Sequence, residues 1–140
     1  MKILIMGLSG SGKTTLATEL AGMIRAVLFN ADDVREHLGC LGFTPEARIK
    51  QAHRMKYLCD TVSASGHHVI ADFICPTDET RAIFNADYTV FVDRTKESQY
   101  KDTDQMFEPP EKYNIRITSD EPPREQALKI LNDVVKLDPS

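Results

Sequence analysis

A glycine-rich loop near the start of the chain is the strongest chemical signal. Residues 7–14 read Gly-Leu-Ser-Gly-Ser-Gly-Lys-Thr and match G-x-x-x-x-G-K-[ST] at every fixed position. Its glycines let backbone amides turn toward phosphates without a side chain in the way. Lys13 is expected to reach the β- and γ-phosphates of ATP, and the Thr14 hydroxyl to ligate Mg²⁺. A glycine-rich turn without a ligand is the alternative, but a free lysine in a strained polar loop has no packing purpose.

The residues predicted to bind the nucleotide extend one position beyond the motif. They are Gly7, Ser9, Gly10, Ser11, Gly12, Lys13, Thr14 and Thr15.

An acidic cluster follows the second apolar run, where a strand is expected to give way to a helix. In a sheet of parallel strands this is the carboxyl edge, on the same side as the glycine loop. Asp32 is predicted to orient an acceptor hydroxyl and take its proton. Arg35, one helical turn away, is predicted to hold an anionic substrate group. With Lys13, these two are the candidate catalytic residues; the alternative is an aspartate N-cap with an i,i+3 ion pair, which is favoured for Asp33.

A third carboxylate ends the apolar run Val69-Ile70-Ala71-Asp72. An acid in this position is the usual partner of a phosphate loop, and it holds magnesium directly or through water. Asp72 and Thr14 are therefore the predicted metal ligands, with ATP and Mg²⁺ as cofactors. The alternative is that Asp72 caps a helix beyond Pro76.

Short apolar runs alternate with helical patterns along the whole chain. The predicted strands are Ile3 to Met6, Val27 to Asn30, His68 to Phe73, Tyr88 to Val92 and Tyr113 to Thr118. The predicted helices are Lys13 to Met23, Asp32 to Leu38, one from Thr44-Pro45 to Ser65-Gly66, a short helix or loop over Pro76 to Asn85, and one after Pro122-Pro123. This order predicts an α/β P-loop NTPase fold, a five-stranded parallel sheet with helices on both faces, as a single domain over residues 1–140.

The last of these helices is expected to cover the sheet with one apolar face. That face comprises Ala127, Leu128, Leu131, Val134 and Val135.

Composition narrows the choice of partner and compartment. The 140 residues carry a net charge of −4, which weighs against a large nucleic-acid partner. Cys40, Cys59 and Cys75 are odd in number and scattered, as expected of buried thiols in a reducing cytosol. No apolar run reaches membrane length, and the apolar N-terminus leads straight into the glycine loop as a first strand. We therefore expect a cytoplasmic protein without a membrane partner.

Several separated segments of this chain resemble segments of the adenylylsulfate kinase family, and they follow one another in the same order as in that family. GLSGSGKTT at residues 7–15 is similar to that family's GLSGxGKTT, and residues 30–35 are similar to its D-G-D-N-[VI]-R segment. The other similar segments are Leu41-Gly42-Phe43-Thr44 with Arg48, Phe73-Ile74-Cys75-Pro76, Phe91-Val92-Asp93 and Phe107-Glu108-Pro109-Pro110-Glu111.

The resemblance implies transfer of the γ-phosphoryl of ATP to the ribose 3′-hydroxyl of adenylylsulfate. It places Asp32 at the acceptor, Arg35 and Arg48 on the substrate's anionic groups, and Phe43 against its base; a core role for Phe43 is the alternative. The implied substrate-binding residues are Asp32, Arg35, Phe43, Arg48, Gln51, Phe73 and Ile74. The resemblance also suggests a homodimer.

The chain departs from that family at several positions. Asn30 replaces the first aspartate of the acidic segment, Asp33 its asparagine, and Gln51 a substrate-contacting asparagine. Residues 94–107 are shorter than the family's basic lid, and they contain Lys96, Lys101, Asp102 and Asp104. Phe107 is a candidate replacement for a lid phenylalanine.

Two further functions stay open on the sequence. The pattern Asn30-x-Asp32-Asp33-x-Arg35 is also similar to the N-x-D-D-x-R segment of polynucleotide 5′-hydroxyl kinases. The same mechanism would then act on a nucleic-acid end or another nucleotide. A non-catalytic nucleotide-binding module is the remaining alternative.

Overall fold

The computed structural model describes residues 1–39, 42–94 and 106–138. Its strands are β1 (Lys2–Met6), β2 (Val27–Asn30), β3 (Val69–Asp72), β4 (Tyr88–Val92) and β5 (Ile115–Ile117). They form one sheet in the order β2-β3-β1-β4-β5, and every neighbouring pair is parallel. The predicted five-stranded parallel sheet is therefore confirmed.

Helices cover both faces of this sheet. They are α1 (Lys13–Ile24), α2 (Ala31–His37), α3 (Pro45–Ala64), α4 (Asp78–Phe84) and α5 (Pro123–Leu137). One core places α1 and α5 against the Ile3, Ile5 and Val90 side of the sheet. The other places α3 and α4 against the Leu4, Met6 and Phe91 side. Side chains that alternate along β1 thus enter two separate cores, as a strand buried on both faces requires.

Local capping explains where the helices begin. Thr44 accepts a hydrogen bond from the Ala47 amide at 3.2 Å, and Pro45 occupies the first turn, as predicted for α3. α2 is capped instead by Asn30, whose side chain accepts from the Asp33 amide at 3.0 Å. The expected aspartate cap was therefore wrong, because α2 begins at Ala31 and both Asp32 and Asp33 lie within its first turn.

The buried face of α5 also differs from the expected one. Ala127, Ile130 and Val134 are buried, whereas Leu128 and Val135 are 41% and 53% exposed. The helix packs against α1 as well as against the sheet. Only the residues at positions i, i+3 and i+7, which share one side of the helix, are buried in this contact. Apolar residues occur on more than one side of α5, so the sequence alone did not show which side would be buried.

The strand order creates a crevice at the carboxyl end of β1. Connections from β1 lead first toward β2 and β3 and later to β4 on the other side, so β1 is where the winding changes direction. Ligands of open α/β sheets bind at such a switch point.

Other sequence-based expectations can be checked only in part. Cys59 and Cys75 are buried free thiols, and burial raises the pKa of each to about 12. Within residues 1–39, 42–94 and 106–138, no helix combines the length and apolar character needed to cross a bilayer. The expectations on Cys40, Leu41, Lys96, Lys101, Asp102 and Asp104 lie outside the described residues.

Candidate active site

The glycine loop connects β1 to α1 and relies on backbone conformations that only glycine adopts easily. Gly7, Gly10 and Gly12 have φ angles of 146°, 83° and 100°. A Cβ on Gly7 would lie 2.3 Å from the carbonyl oxygen of Val92 at the end of β4. Gly7 is therefore required by a close approach of two strands as well as by its own φ angle.

Lys13 is held in the loop with little exposure to solvent. It is 7% exposed, and its Nζ donates to the carbonyl oxygen of Leu8 at 3.0 Å. Burial lowers the pKa of Lys13, and the nearby carboxylates of Asp72 and Asp32 offset this only in part. A polyphosphate in the loop would supply the missing negative charge, which is the role predicted for this lysine.

Asp72 ends β3 beside the loop and is 3% exposed. Its Oδ2 accepts from the Thr14 hydroxyl at 2.6 Å and from Asn30 Nδ2 at 2.8 Å. The helix-cap alternative is excluded, because α4 is capped by Thr77. The predicted metal ligands Thr14 and Asp72 are thus in direct contact.

This pair fits a magnesium ion that shares its remaining ligands with phosphates. Mg²⁺ prefers oxygen ligands and is usually held by one or two carboxylates together with substrate phosphates and water. The part of the chain that the structure describes contains no group of three or more His, Cys, Asp or Glu side chains that could hold a metal. Thr14 and Asp72 would therefore hold the ion only in company with the nucleotide.

A second group of residues faces the loop from α2 and α3, and we call Asp32, Arg35, Phe43, Arg48 and Gln51 the acceptor wall. Arg35 is 7% exposed and donates a short hydrogen bond to the exposed Asp32 carboxylate. Gln51 Nε2 donates to the carbonyl oxygen of Ala31 at 2.7 Å and so joins α3 to the start of α2. The wall therefore presents one accessible carboxylate beside a buried guanidinium.

Phe43 organises the two arginines of the wall. Its ring centroid lies 4.2 Å from the guanidinium carbon of Arg35 and 4.8 Å from that of Arg48. Arg48 is 3% exposed, whereas Phe43 is 36% exposed and thus not a core residue. Cation–π contacts of this kind hold cationic groups in place before an anion binds.

Loop, metal ligands and wall surround one cleft of about 310 Å³. It is lined by Ser9, Gly10, Gly12, Lys13, Thr14, Thr15, Asn30, Ala31, Asp32, Arg35, Arg48, Gln51, Asp72, Phe73 and Ile74. Of the predicted site residues, Gly7, Ser11 and Phe43 do not line it: the Ser11 hydroxyl lies close to Gly7, and the ring of Phe43 contacts the two arginines.

Asn30 and Ala31 line the cleft but were not among the predicted site residues, and of the two only Asn30 has a polar side chain. It pairs with Asp72 in the register of β2 and β3, so both side chains lie at the same edge of the sheet. The available signal was a polar residue at or next to the end of each of the two predicted strands, but the sequence did not show that these strands are neighbours in the sheet.

Comparison with known proteins agrees with this geometry. The family model described as adenylylsulphate kinase matches residues 1–116. The chain belongs to the adenylylsulphate kinase family. It is 38% identical over 98 residues to the adenylyl-sulfate kinase of Clostridium kluyveri, a match that covers 62% of this chain and 49% of that protein. It is 39% identical over 82 residues to the adenylyl-sulfate kinase of Chloroflexus aurantiacus, covering 54% and 44%. The chain thus spans about half the length of these curated relatives.

Solved structures with the same fold include kinases for different acceptors. The Mycobacterium tuberculosis APS kinase CysC in complex with AMPPNP and APS superposes with a TM-score of 0.78 at 22% identity, covering 95% of this chain and 96% of that one. Shikimate kinase from Aquifex aeolicus superposes with a TM-score of 0.68 at 18% identity, covering 96% of each chain. Identities this low establish the P-loop kinase fold alone.

Phe107, the candidate replacement for a lid phenylalanine, packs beside β4 and α4. Its ring lies 6.2 Å from that of Phe91 and 5.6 Å from the guanidinium carbon of Arg81. It belongs to the rim of the second core and does not line the cleft.

Proposed function

We propose that the chain is a magnesium-dependent kinase that transfers the γ-phosphoryl group of ATP to the 3′-hydroxyl of adenylylsulfate. One observation carries this proposal: a single cleft holds a phosphate loop on one side and an accessible carboxylate with two buried arginines on the other. Family membership supports the same reaction.

Each side chain in the cleft has a role in this reaction. The loop amides and the Lys13 ammonium would bind the β- and γ-phosphates, while Thr14 and Asp72 would hold Mg²⁺, which neutralises charge on the phosphates. Asp32 would accept the proton of the attacking hydroxyl as the oxygen–phosphorus bond forms. The bond between the γ-phosphorus and its bridging oxygen would break at the same time, with ADP as the leaving group.

The acceptor wall supports a small anionic nucleotide as the acceptor. Arg35 and Arg48 are both buried and both line the cleft, so two fixed positive charges lie beside the space opposite the phosphate loop. Adenylylsulfate offers negative charge to these arginines and a base to the aromatic ring at the edge of the wall. In this proposal Phe43 orients both arginines and stacks on that base, Gln51 contacts the substrate, and Phe73 and Ile74 form the floor.

The wider setting is part of the same proposal. Residues 1–140 would act as one kinase domain, assembled as a homodimer. Cys59 and Cys75 are free and buried, which is consistent with the cytosol as the proposed place of action. A small nucleotide, rather than a nucleic acid, would be the partner.

An acceptor screen tests the proposal. The full chain is incubated with MgATP and either adenylylsulfate, a 5′-hydroxyl oligonucleotide or no acceptor, and ADP release is followed by a coupled assay. Release that requires adenylylsulfate, and that is lost in Lys13→Ala, is the expected result.

The other outcomes each favour a different function. Release only with the oligonucleotide would assign the chain to the polynucleotide kinase class, which the Asn30-x-Asp32-Asp33-x-Arg35 pattern also resembles. Tight MgATP binding without transfer to any acceptor would favour the nucleotide-binding module.

A further inference from the structure

One charged pair beside the phosphate loop has no role in the function proposed above. Arg94 follows β4, Asp120 follows β5, and Arg94 donates to the Asp120 carboxylate at 2.5 Å. Neither residue lines the cleft that contains the acceptor wall.

Arg94 approaches the loop at Gly12. A Cβ built on Gly12 would lie 3.1 Å from Arg94 Nη1, so the absence of a side chain at Gly12 leaves room for the guanidinium. Gly12 caps α1, and the first amides of a helix are suited to bind phosphate. A cation is therefore already in place next to the loop, on the side away from Asp32.

The direction of phosphoryl transfer determines which side of the loop the nucleotide occupies. The γ-phosphate must face Asp32, which lies on the β2–β3 side of β1. The rest of the nucleotide must then extend over Gly12 toward the β4–β5 side, where Arg94 and Asp120 lie.

We propose that Arg94 is an additional nucleotide-binding residue, which leaves Asp120 for the phosphates when a nucleoside triphosphate enters the loop. This inference rests on the proposed binding of ATP but not on the identity of the acceptor.

The resting pair is built so that it can open. Asp120 is 94% exposed at its side chain, and an ion pair this exposed contributes little to stability. The segment that carries Asp120 is anchored separately, because the buried Gln126 donates to the carbonyl oxygen of Ser119 at 3.1 Å. A guanidinium also binds phosphate oxygens through two parallel hydrogen bonds, and the triphosphate carries more charge than one carboxylate.

Calorimetric titration of the full chain with MgATP, MgADP and adenosine tests this inference. Arg94→Ala is expected to weaken MgATP binding about tenfold, in line with the loss of a charge-assisted hydrogen bond, and to leave adenosine binding unchanged. Arg94→Lys should recover part of the loss. Asp120→Asn should tighten MgATP binding about twofold to threefold by removing a competitor for Arg94.

Two controls separate nucleotide binding from folding and from general charge effects. Arg116→Ala removes an equally charged side chain, paired with Asp93, from the same edge of the sheet, and should leave MgATP binding within about twofold. In the Arg94→Ala background, Asp120→Asn should have no further effect, because the two residues act through one pair.

A different set of results would overturn the inference. If Arg94→Ala lowers the thermal midpoint but binds MgATP as the wild type does, the ion pair only stabilises the segment before α5 and does not take part in nucleotide binding. Equal losses with MgATP and adenosine would exclude a phosphate contact. Wild-type MgATP binding without ADP release would refute the proposed kinase activity alone, whereas no MgATP binding by the wild type would refute both.

Discussion

The phosphate loop and the acceptor wall face each other across one cleft but are built on different principles. The loop is eight consecutive residues, and its binding groups are mostly backbone amides whose directions follow from the φ angles of its glycines. The wall consists of side chains from α2, from α3 and from Phe43 between them, and their approach depends on how these helices pack. A contiguous backbone motif therefore makes phosphate binding a local property, whereas acceptor choice is a tertiary one.

The phosphate loop and the acceptor wall also differ in the charged groups that they present. The loop contributes peptide dipoles and one ammonium whose pKa burial lowers. The wall contributes two buried guanidiniums and one accessible carboxylate. Substitutions on the two sides should consequently separate nucleotide binding from catalysis and from acceptor binding.

The largest separation is expected from Asp32→Asn. Loss of the proton acceptor should lower turnover by about 10²–10⁴-fold, while MgATP affinity changes far less, because the loop amides, Lys13 and Thr14 stay in place. ADP release and calorimetry measure the two quantities. Asp33→Asn, which removes the neighbouring exposed carboxylate outside the cleft, is the matched control. An equal loss of MgATP affinity in Asp32→Asn would place this residue with the loop instead.

A backbone substitution in the loop should act on the fold itself. Gly7→Ala brings a Cβ to within 2.3 Å of the Val92 carbonyl oxygen, and we expect it to lower the free energy of unfolding by about 3 kcal/mol. Gly22→Ala is the control, since a Cβ there meets nothing within 4 Å inside α1. It should stabilise the protein by about 0.5–1 kcal/mol. Urea denaturation of both variants measures their free energies of unfolding. If Gly7→Ala were as stable as Gly22→Ala, the close approach of β1 and β4 would be contradicted.

The boundary between the two regions can be probed at Asn30. Asn30→Asp removes the hydrogen bond to Asp72 and sets two carboxylates together, which should lower the stability of the metal-free protein by about 1–3 kcal/mol. Mg²⁺ should restore that loss, because it prefers carboxylate ligands. Thermal melts with EDTA and with Mg²⁺ measure the difference. A loss of the same size in both conditions would show that Asn30 serves packing and not the metal site.

The smallest effect is expected at Phe43. Phe43→Ala removes the ring that contacts both arginines, worth about 0.5–2 kcal/mol, and should raise KM for adenylylsulfate with little change in kcat or in MgATP affinity. Phe43→Tyr keeps the ring and should behave as the wild type. A fall in MgATP affinity for Phe43→Ala would mean that the two regions are not independent.

The secondary structure was largely predictable, since it follows from local patterns. β2 and β4 have the predicted bounds, and Thr44-Pro45 starts α3 as expected. Errors arose where a side chain had a choice of partner: Asn30 caps α2 and also binds Asp72, and α5 buries Ile130 instead of Leu128. These choices depend on which strand or helix is adjacent, and local periodicity carries no such information.

What the sequence by itself determined is the fold, the family and the phosphate loop. The loop residues are contiguous, and their function rests on backbone geometry that glycine spacing encodes directly. Only the tertiary structure decided how Asp72, Asn30 and Thr14 meet, that the ring of Phe43 contacts two arginines, and that Arg94 reaches Gly12. Side chains far apart in the chain acquire a shared environment only when the strand order and the helix packing bring them together, and their charges and hydrogen bonds are set by that environment.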